Sequence, residues 1–297
     1  MKKLLAVVLS AFAITSMAKE TVTIYYAFSP ADTMAAYSRT LVEEANHIQD
    51  KYTFVFDTKP GAGNAIAANF VKNNSNTILA TSSAFFIRPN FYPNESYNVN
   101  DFQELMPQCN APIAISSTKY QTWADVPKDK PLNIGTSGLG VTTHLTSLQI
   151  VSKFPNVQVV PFKSTNDSIL SMMSGNIDLH VGFLGESESW GDKVHILGTT
   201  GPKSVNHHPI LAGEGFAKIV SNMDAPHHLV VPKSVPDEKF REWRKILVQA
   251  ARAESVQKSY LIDHCYSMSE MKDQDLHAWY ESQQAQWKKL STGVKID

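Results

Sequence analysis

Beyond its first twenty residues the sequence holds no uninterrupted apolar run near the ~20 residues that cross a bilayer, so no internal membrane helix is expected. It also lacks any block of lysine or arginine. Setting aside Lys2 and Lys3, 25 basic residues face 28 acidic ones, a formal charge of −3. Nothing there would track a phosphate backbone, which argues against nucleic acid as a partner. Cysteine is scarce. Cys109 and Cys265 could bridge the first half to the C-terminal region or stand as two buried thiols, and spacing alone does not choose. No internal repeat or low-complexity run interrupts the 297 residues, which are 43% hydrophobic and 19% charged, enough for one large or two medium cores.

What is present begins with "MKKLLAVVLSAFAITSMAKE". Two lysines, an apolar run from Leu4 to Ile14, and small residues at Ser16 and Ala18 form the pattern of a Sec signal peptide over residues 1–18. The apolar run is short for a retained anchor, and no cysteine follows it to carry a lipid. The mature chain is expected to be exported to the periplasm, soluble and monomeric.

The mature sequence alternates strands and helices. Val22, Ile24 and Tyr26 keep strand period, and Asp32 can cap a helix carrying Met34, Leu41, Val42 and Ala45. "YTFVFDTKPGAGNAIAANFVKN" gives a strand, a glycine turn and a helix from Ala65, and "TILATSS" a third strand. A second series follows: "LNIGTSGLGVTTHLTSLQI", "VQVVPFKSTNDSILSMMSGNID", "LHVGFLGESESW" and "VHILGTT". Such alternation predicts α/β architecture with mostly parallel sheets, whose ligands bind at the carboxyl ends of strands. Ala111–Ser116 and His228–Val231 are extended apolar segments that bracket the second series. As two crossover strands they would join lobe 1 (19–115 plus 228–297) to lobe 2 (116–227) and leave a ligand cleft between them.

"KPGAGNAIAANFV" has the look of a phosphate loop but lacks what one requires. No lysine enters the helix, as a P-loop needs, and Gly61 and Gly63 are not followed by the third glycine of a dinucleotide loop. What remains is a sharp turn that presents helix N–H groups beyond a strand. Thr81-Ser82-Ser83, Gly135–His144, Phe162–Asn166 and Gly182–Glu186 are further strand-end loops of small or polar residues. Their convergence predicts a pocket that satisfies a carboxylate through N–H and O–H groups.

Three of these stretches resemble one family. "KPGAGNAIAANFV", "NIGTSGLGVTTHLTSLQI" and "VVPFKSTNDSILSMMSGNIDL" are similar to successive motifs of the periplasmic receptors of tripartite tricarboxylate transporters, the Bug or TctC-like receptors. The resemblance spans nearly all of the mature chain. It implies a two-lobed type II periplasmic-binding fold, capture of a small mono-, di- or tricarboxylate without a cofactor, and delivery to a membrane permease. Matched by position, it implies that Asp32, Gly63, Asn64, Thr81, Ser82 and Ser83 line the first lobe. Ser137, Gly138, Gly140, Val141, Thr142, His144, Lys163, Ser164, Gly182 and Phe183 would line the second. The sequence departs from the family at "FSPAD", which is shorter than the family's first loop, and at Gly182, near which the family often has an aspartate. The missing carboxylate weighs against an amino-acid ligand.

Two other classes compete. Ten histidines, with pairs at His207-His208 and His227-His228, raise zinc capture, but adjacent residues diverge on a strand and no H-x-x-x-H or C-x-x-C spacing accompanies them. They read better as loop or hinge-surface residues, and His144 as a packing or capping residue. Ser137 could imitate a hydrolase nucleophile, yet no G-x-S-x-G elbow is present. Trp243, Trp279 and Trp287 read as packing aromatics.

Overall fold

The computed structural model describes residues 19–201, 203–211 and 223–296; the signal-peptide segment lies outside them. In the N-terminal series, β1 (Glu20–Tyr26), α1 (Thr33–His47), β2 (Tyr52–Thr58), α2 (Ala65–Lys72), β3 (Thr77–Ser82) and α3 (Ala84–Phe91) lead to the long strand β4 (Phe102–Ala111). The second series comprises β5 (Ile113–Ser117), β6 (Leu132–Ser137), α4 (Thr142–Val151), β7 (Val157–Phe162), α5 (Thr165–Met173), β8 (Leu179–Phe183), α6 (Leu184–Glu188) and β9 (His195–Thr199). The chain then returns through β10 (Ala225–Pro232) to α7 (Asp237–Ala251), α8 (Glu254–Tyr260), β11 (Tyr266–Ser267) and α9 (Asp273–Ser291).

Two sheets result, one of six strands in the order β11-β4-β10-β3-β1-β2 and one of five in the order β7-β6-β8-β5-β9. Sheet membership changes at Pro112, between β4 and β5, and reverts at β10. Both sheets are mixed rather than mostly parallel. β1 runs parallel to β2 and β3, and β6 to β7 and β8. The strands that carry the chain out and back, β10 in the larger sheet and β5 in the smaller, pair antiparallel with their neighbours. The chain leaves the larger sheet at the end of β4 and returns at that same end, with Ala225 opposite Ala111, so β10 runs in the reverse direction.

The helices bury the faces their periodicity marks. Met34, Leu41, Val42 and Ala45 of α1 join Trp243, Leu247 and Ala251 of α7 over the larger sheet, beside Ile24 and Phe54. Each of the methionine, leucine, valine, isoleucine and phenylalanine side chains among them contributes about 1.5–3 kcal/mol of burial. Trp287 of α9 is fully buried on the other face with Phe85, Phe86 and Tyr280. Leu145, from α4 of the second series, belongs to this same cluster, and Gln149 of α4 donates from Nε2 to the Leu290 carbonyl at 3.2 Å. The two halves therefore meet through side chains as well as through the strands that connect them.

Cys109 and Cys265 form a disulfide with Cα atoms 5.4 Å apart. Cys109 lies on β4, and Tyr266 and Ser267, the two residues after Cys265, pair with Asn110 and Cys109. The bridge thus clamps a strand too short to hold its register by hydrogen bonds alone.

Candidate functional site

A cavity of about 590 Å³ opens where loops of the two sheets face each other. That volume falls within the usual range for small-molecule sites. Its wall is mostly apolar, with polar groups at a few points.

The turn between β2 and α2 supplies one side. Four consecutive residues have positive φ: Gly61 at 129°, Ala62 at 47°, Gly63 at 54° and Asn64 at 89°. For Ala62 this costs about 1–2 kcal/mol, since Cβ crowds the neighbouring carbonyl, while asparagine, as at Asn64, adopts this region more readily. Strain of this kind persists only where surrounding structure holds it, and Gly61, Ala62 and Gly63 all border the cavity. The opposing turn, between β6 and α4, contains Gly138 at φ 76° and Gly140 at φ 68°.

These turns touch. A Cβ at Gly63 would stand 3.3 Å from both the Leu139 carbonyl oxygen and Val141 Cγ1, across the cleft. A Cβ at Gly140 would stand 2.9 Å from the Tyr92 ring. Beside them, Ser83 Oγ and Thr142 Oγ1 share a hydrogen bond of 2.5 Å, so the cleft is closed at this edge.

Of the residues expected at the site, Asp32, Gly63 and Ser82 line the cavity from the larger sheet. Ser137, Gly138, Val141, Thr142, Lys163, Ser164 and Phe183 line it from the smaller one. Six others stand behind the wall. Thr81 precedes Ser82 on β3, so strand alternation turns it to the other face. Ser83 is engaged by Thr142, and Gly140 is packed on Tyr92. Asn64 is buried, and its amide donates to the Gly63 carbonyl within the turn. His144 Nδ1 accepts from the Gly140 backbone N–H at 3.2 Å and so fixes the glycine turn; burial lowers its pKa to about 4. Gly182 faces the buried His180 ring, where a Cβ would come within 2.3 Å of Nε2.

Sequence reading overlooked several lining groups. Tyr26, Phe28 and Phe162 form apolar wall, and Arg88 and Tyr92 enter from α3 and the residue after it. Arg88 Nε donates to Glu95 while its guanidinium lies 4.0 Å over the Tyr92 ring. Glu186, four residues beyond Gly182, brings a carboxylate to the wall from α6. His227 also lines the cavity, although the His-His pair read as hinge surface. It is 2% exposed on β10, paired in register with Ser82 and 5.1 Å from the Phe183 ring. Burial, reinforced by His228, lowers its pKa to about 3, so its imidazole is neutral at physiological pH. His228 points to the opposite face, where Nδ1 meets Glu104 at 2.8 Å and the ring stacks on Phe86.

The geometry bears on the competing classes as well. Ser137 Oγ bonds Thr143 Oγ1 at 3.1 Å, and an alcohol is not a base that could take its proton. Among the described residues, no three His, Cys, Asp or Glu side chains are grouped to hold a metal ion. His207 is exposed and His208 half-buried, in a loop.

Comparison with known proteins adds the family. No curated protein matches the sequence significantly. The fold is shared with the periplasmic binding protein BugD, at a TM-score of 0.83 and 19% identity over 95% of this chain and all of that one. It is also shared with Rpa4515 of R. palustris, a structure with adipate, at 0.81 and 20% identity over 92% of this chain and 96% of that one. MatC from Rhodopseudomonas palustris, with bound malate, gives 0.78 and 14% identity over 92% and 99%. The model of the tripartite tricarboxylate transporter family receptor matches residues 38–295, nearly all of the mature chain. With the two facing glycine turns and the mixed sheets that carry them, this chain belongs to the tripartite tricarboxylate transporter receptor family.

Proposed function

We propose that this protein is exported by its signal peptide to the periplasm, binds a small organic carboxylate between its two sheets, and hands it to a membrane permease of the tripartite tricarboxylate type. The sheets with their helices act as two lobes that change over at Pro112 and again at the start of β10, near the expected bounds of 19–115 with 228–297 and 116–227, and they hinge where the chain crosses between them. The observation that carries this reading is the cavity itself, walled by glycine turns and hydroxyls from both sheets and closed at one edge by the Ser83–Thr142 bond. Contacts from both lobes exist together only when the cleft is shut, so a ligand that uses both shifts the population toward the closed form. A permease can then distinguish loaded receptor from empty. The acid is held by backbone N–H groups and hydroxyls, with Arg88 and Lys163 as the nearby cations, rather than by catalytic groups. The adipate and malate seen in two proteins of this fold indicate the size of acid to try first.

The test is calorimetric titration and thermal melting of the mature protein against mono-, di- and tricarboxylates. Binding raises stability by RT ln(1 + [L]/Kd), about 2.7 kcal/mol at a hundredfold excess over Kd. Native mass spectrometry of protein purified without refolding should show a co-purified acid. A panel without heat or melting shift, together with a shift in zinc, would replace the carboxylate reading with metal capture.

A further inference from the structure

His227 is an uncommon residue to find where it is. Its side chain is almost wholly buried, borders the cavity, and has no hydrogen-bond partner at either Nδ1 or Nε2. Leaving buried polar groups unpaired costs about 1–3 kcal/mol apiece, so an imidazole with both nitrogens bare is a standing expense unless something else pairs with them. Among the described residues, none pairs with its ring nitrogens. Its ring lies against Phe183, and on the other side of β10 it is His228, not His227, that binds Glu104. The residue borders the cavity, which is where a bound molecule would lie.

The partner's chemistry follows from the surroundings. A neutral imidazole offers one N–H donor and one acceptor and carries no charge to balance a carboxylate. The cavity's cations are elsewhere, Arg88 on α3 and Lys163 after β7, and its facing turns are rich in backbone N–H. We propose that His227 is a specificity-determining contact that hydrogen-bonds a second, uncharged oxygen of the bound acid, so the receptor prefers hydroxy or oxo acids to the corresponding plain acids. This rests on the carboxylate-receptor reading above and adds the functional group beyond the carboxylate. A plain acid would bury against His227 without satisfying it, and selectivity arises from that omission as much as from the bond.

Matched acids that differ by one oxygen test the assignment: succinate with malate and oxaloacetate, adipate with 3-oxoadipate, 3-phenylpropionate with 3-phenyllactate. Titration calorimetry on the wild-type protein should give at least one pair in which the oxygenated acid binds about tenfold tighter, as one buried hydrogen bond supplies. His227→Phe should abolish that preference while the plain acid still binds, and His227→Gln, which keeps a donor and an acceptor, should retain part of it. Ring 15N resonances of His227 in the wild-type protein should move with the oxygenated acid and stay in place with its plain partner, a readout that does not depend on any variant folding. Equal affinities within every pair, or a preference that survives His227→Phe, would overturn the role of His227 and leave carboxylate binding intact. Binding of none of the acids would overturn both.

Discussion

Replacing Gly63 by alanine separates two costs that a single structure presents together. The first is local. At φ 54° an alanine is strained by about 1–2 kcal/mol, whether the cleft is open or shut, so this part appears in unfolding and not in binding. The second exists only when the lobes meet: the new methyl would sit 3.3 Å from the Leu139 carbonyl oxygen and from Val141 Cγ1, tighter than ordinary contact. Its third neighbour, Arg88 Nη1 at 3.1 Å, is the end of a flexible side chain on the same lobe and can give way in either state. Backbone cannot. Crowding of this kind costs about 1–3 kcal/mol, which weakens binding of whichever carboxylate the panel identifies by roughly 5- to 150-fold. Calorimetry measures the affinity, urea unfolding the stability, and small-angle X-ray scattering the contraction on adding ligand. An alanine variant that loses stability yet binds as tightly and contracts as fully as wild type would refute the idea that Gly63 spaces the closing lobes.

Three further outcomes follow from the same structure. Ser83→Ala and Thr142→Ala, taken as a double-mutant cycle on ligand affinity, should show a coupling of about 0.5–1.5 kcal/mol from the hydroxyl pair across the cleft; additive effects would mean the pair does not stabilise the closed form. Removing the disulfide by Cys109→Ala with Cys265→Ala frees a closure of 156 residues, for which chain entropy sets a ceiling of about 5 kcal/mol; urea midpoints should fall accordingly, and an unchanged midpoint would refute the clamp. His144, His180 and His227 are depressed by burial to about 4, 3 and 3, below the ~6.5 of the unfolded chain, so the unfolded state takes up protons first and stability is lost as pH falls below about 6.5. Each contributes up to about 2 kcal/mol of loss by pH 5, and replacing His180 by glutamine should flatten the pH profile of the melting temperature; an unaltered profile would remove it from the account.

Local physics carried the sequence reading far where periodicity was strong. Met34, Leu41, Val42 and Ala45 of α1 are buried or nearly so, and α2 starts at Ala65 where the glycine turn predicts it. Strand alternation, applied more strictly, would also have removed Thr81 from the site, since its neighbour Ser82 faces the cavity. Other features left no local mark. Helix α3 is masked by Pro89 within it, so Arg88 and Tyr92 went unnoticed. His227 and His228 look alike as letters, and only the position of β10 between β3 and β4 sends one to the cavity and the other to Glu104. The two-residue strand β11 depends on a disulfide that spacing could not assign.

The glycine motifs illustrate how a legible pattern can carry a second job that the sequence does not show. In sequence, "PGAGN" and "TSGLG" look like two loops that each grip a ligand. In the fold they are also each other's neighbours. Gly63 leaves room for the Leu139 carbonyl and the Val141 side chain, and Gly140 for the ring of Tyr92. A side chain at either position would hold the cleft apart before any ligand was considered. The positive φ angles of Gly61–Asn64 serve the same end, because they bend the β2–α2 turn sharply enough to bring Gly63 against the opposite lobe. Some of the small residues that read as binding residues therefore set how far the cleft can shut. On the proposed function, affinity and closure are then coupled: the turns that border the cavity are also the surfaces that meet across it, and a substitution that enlarges one should alter both at once.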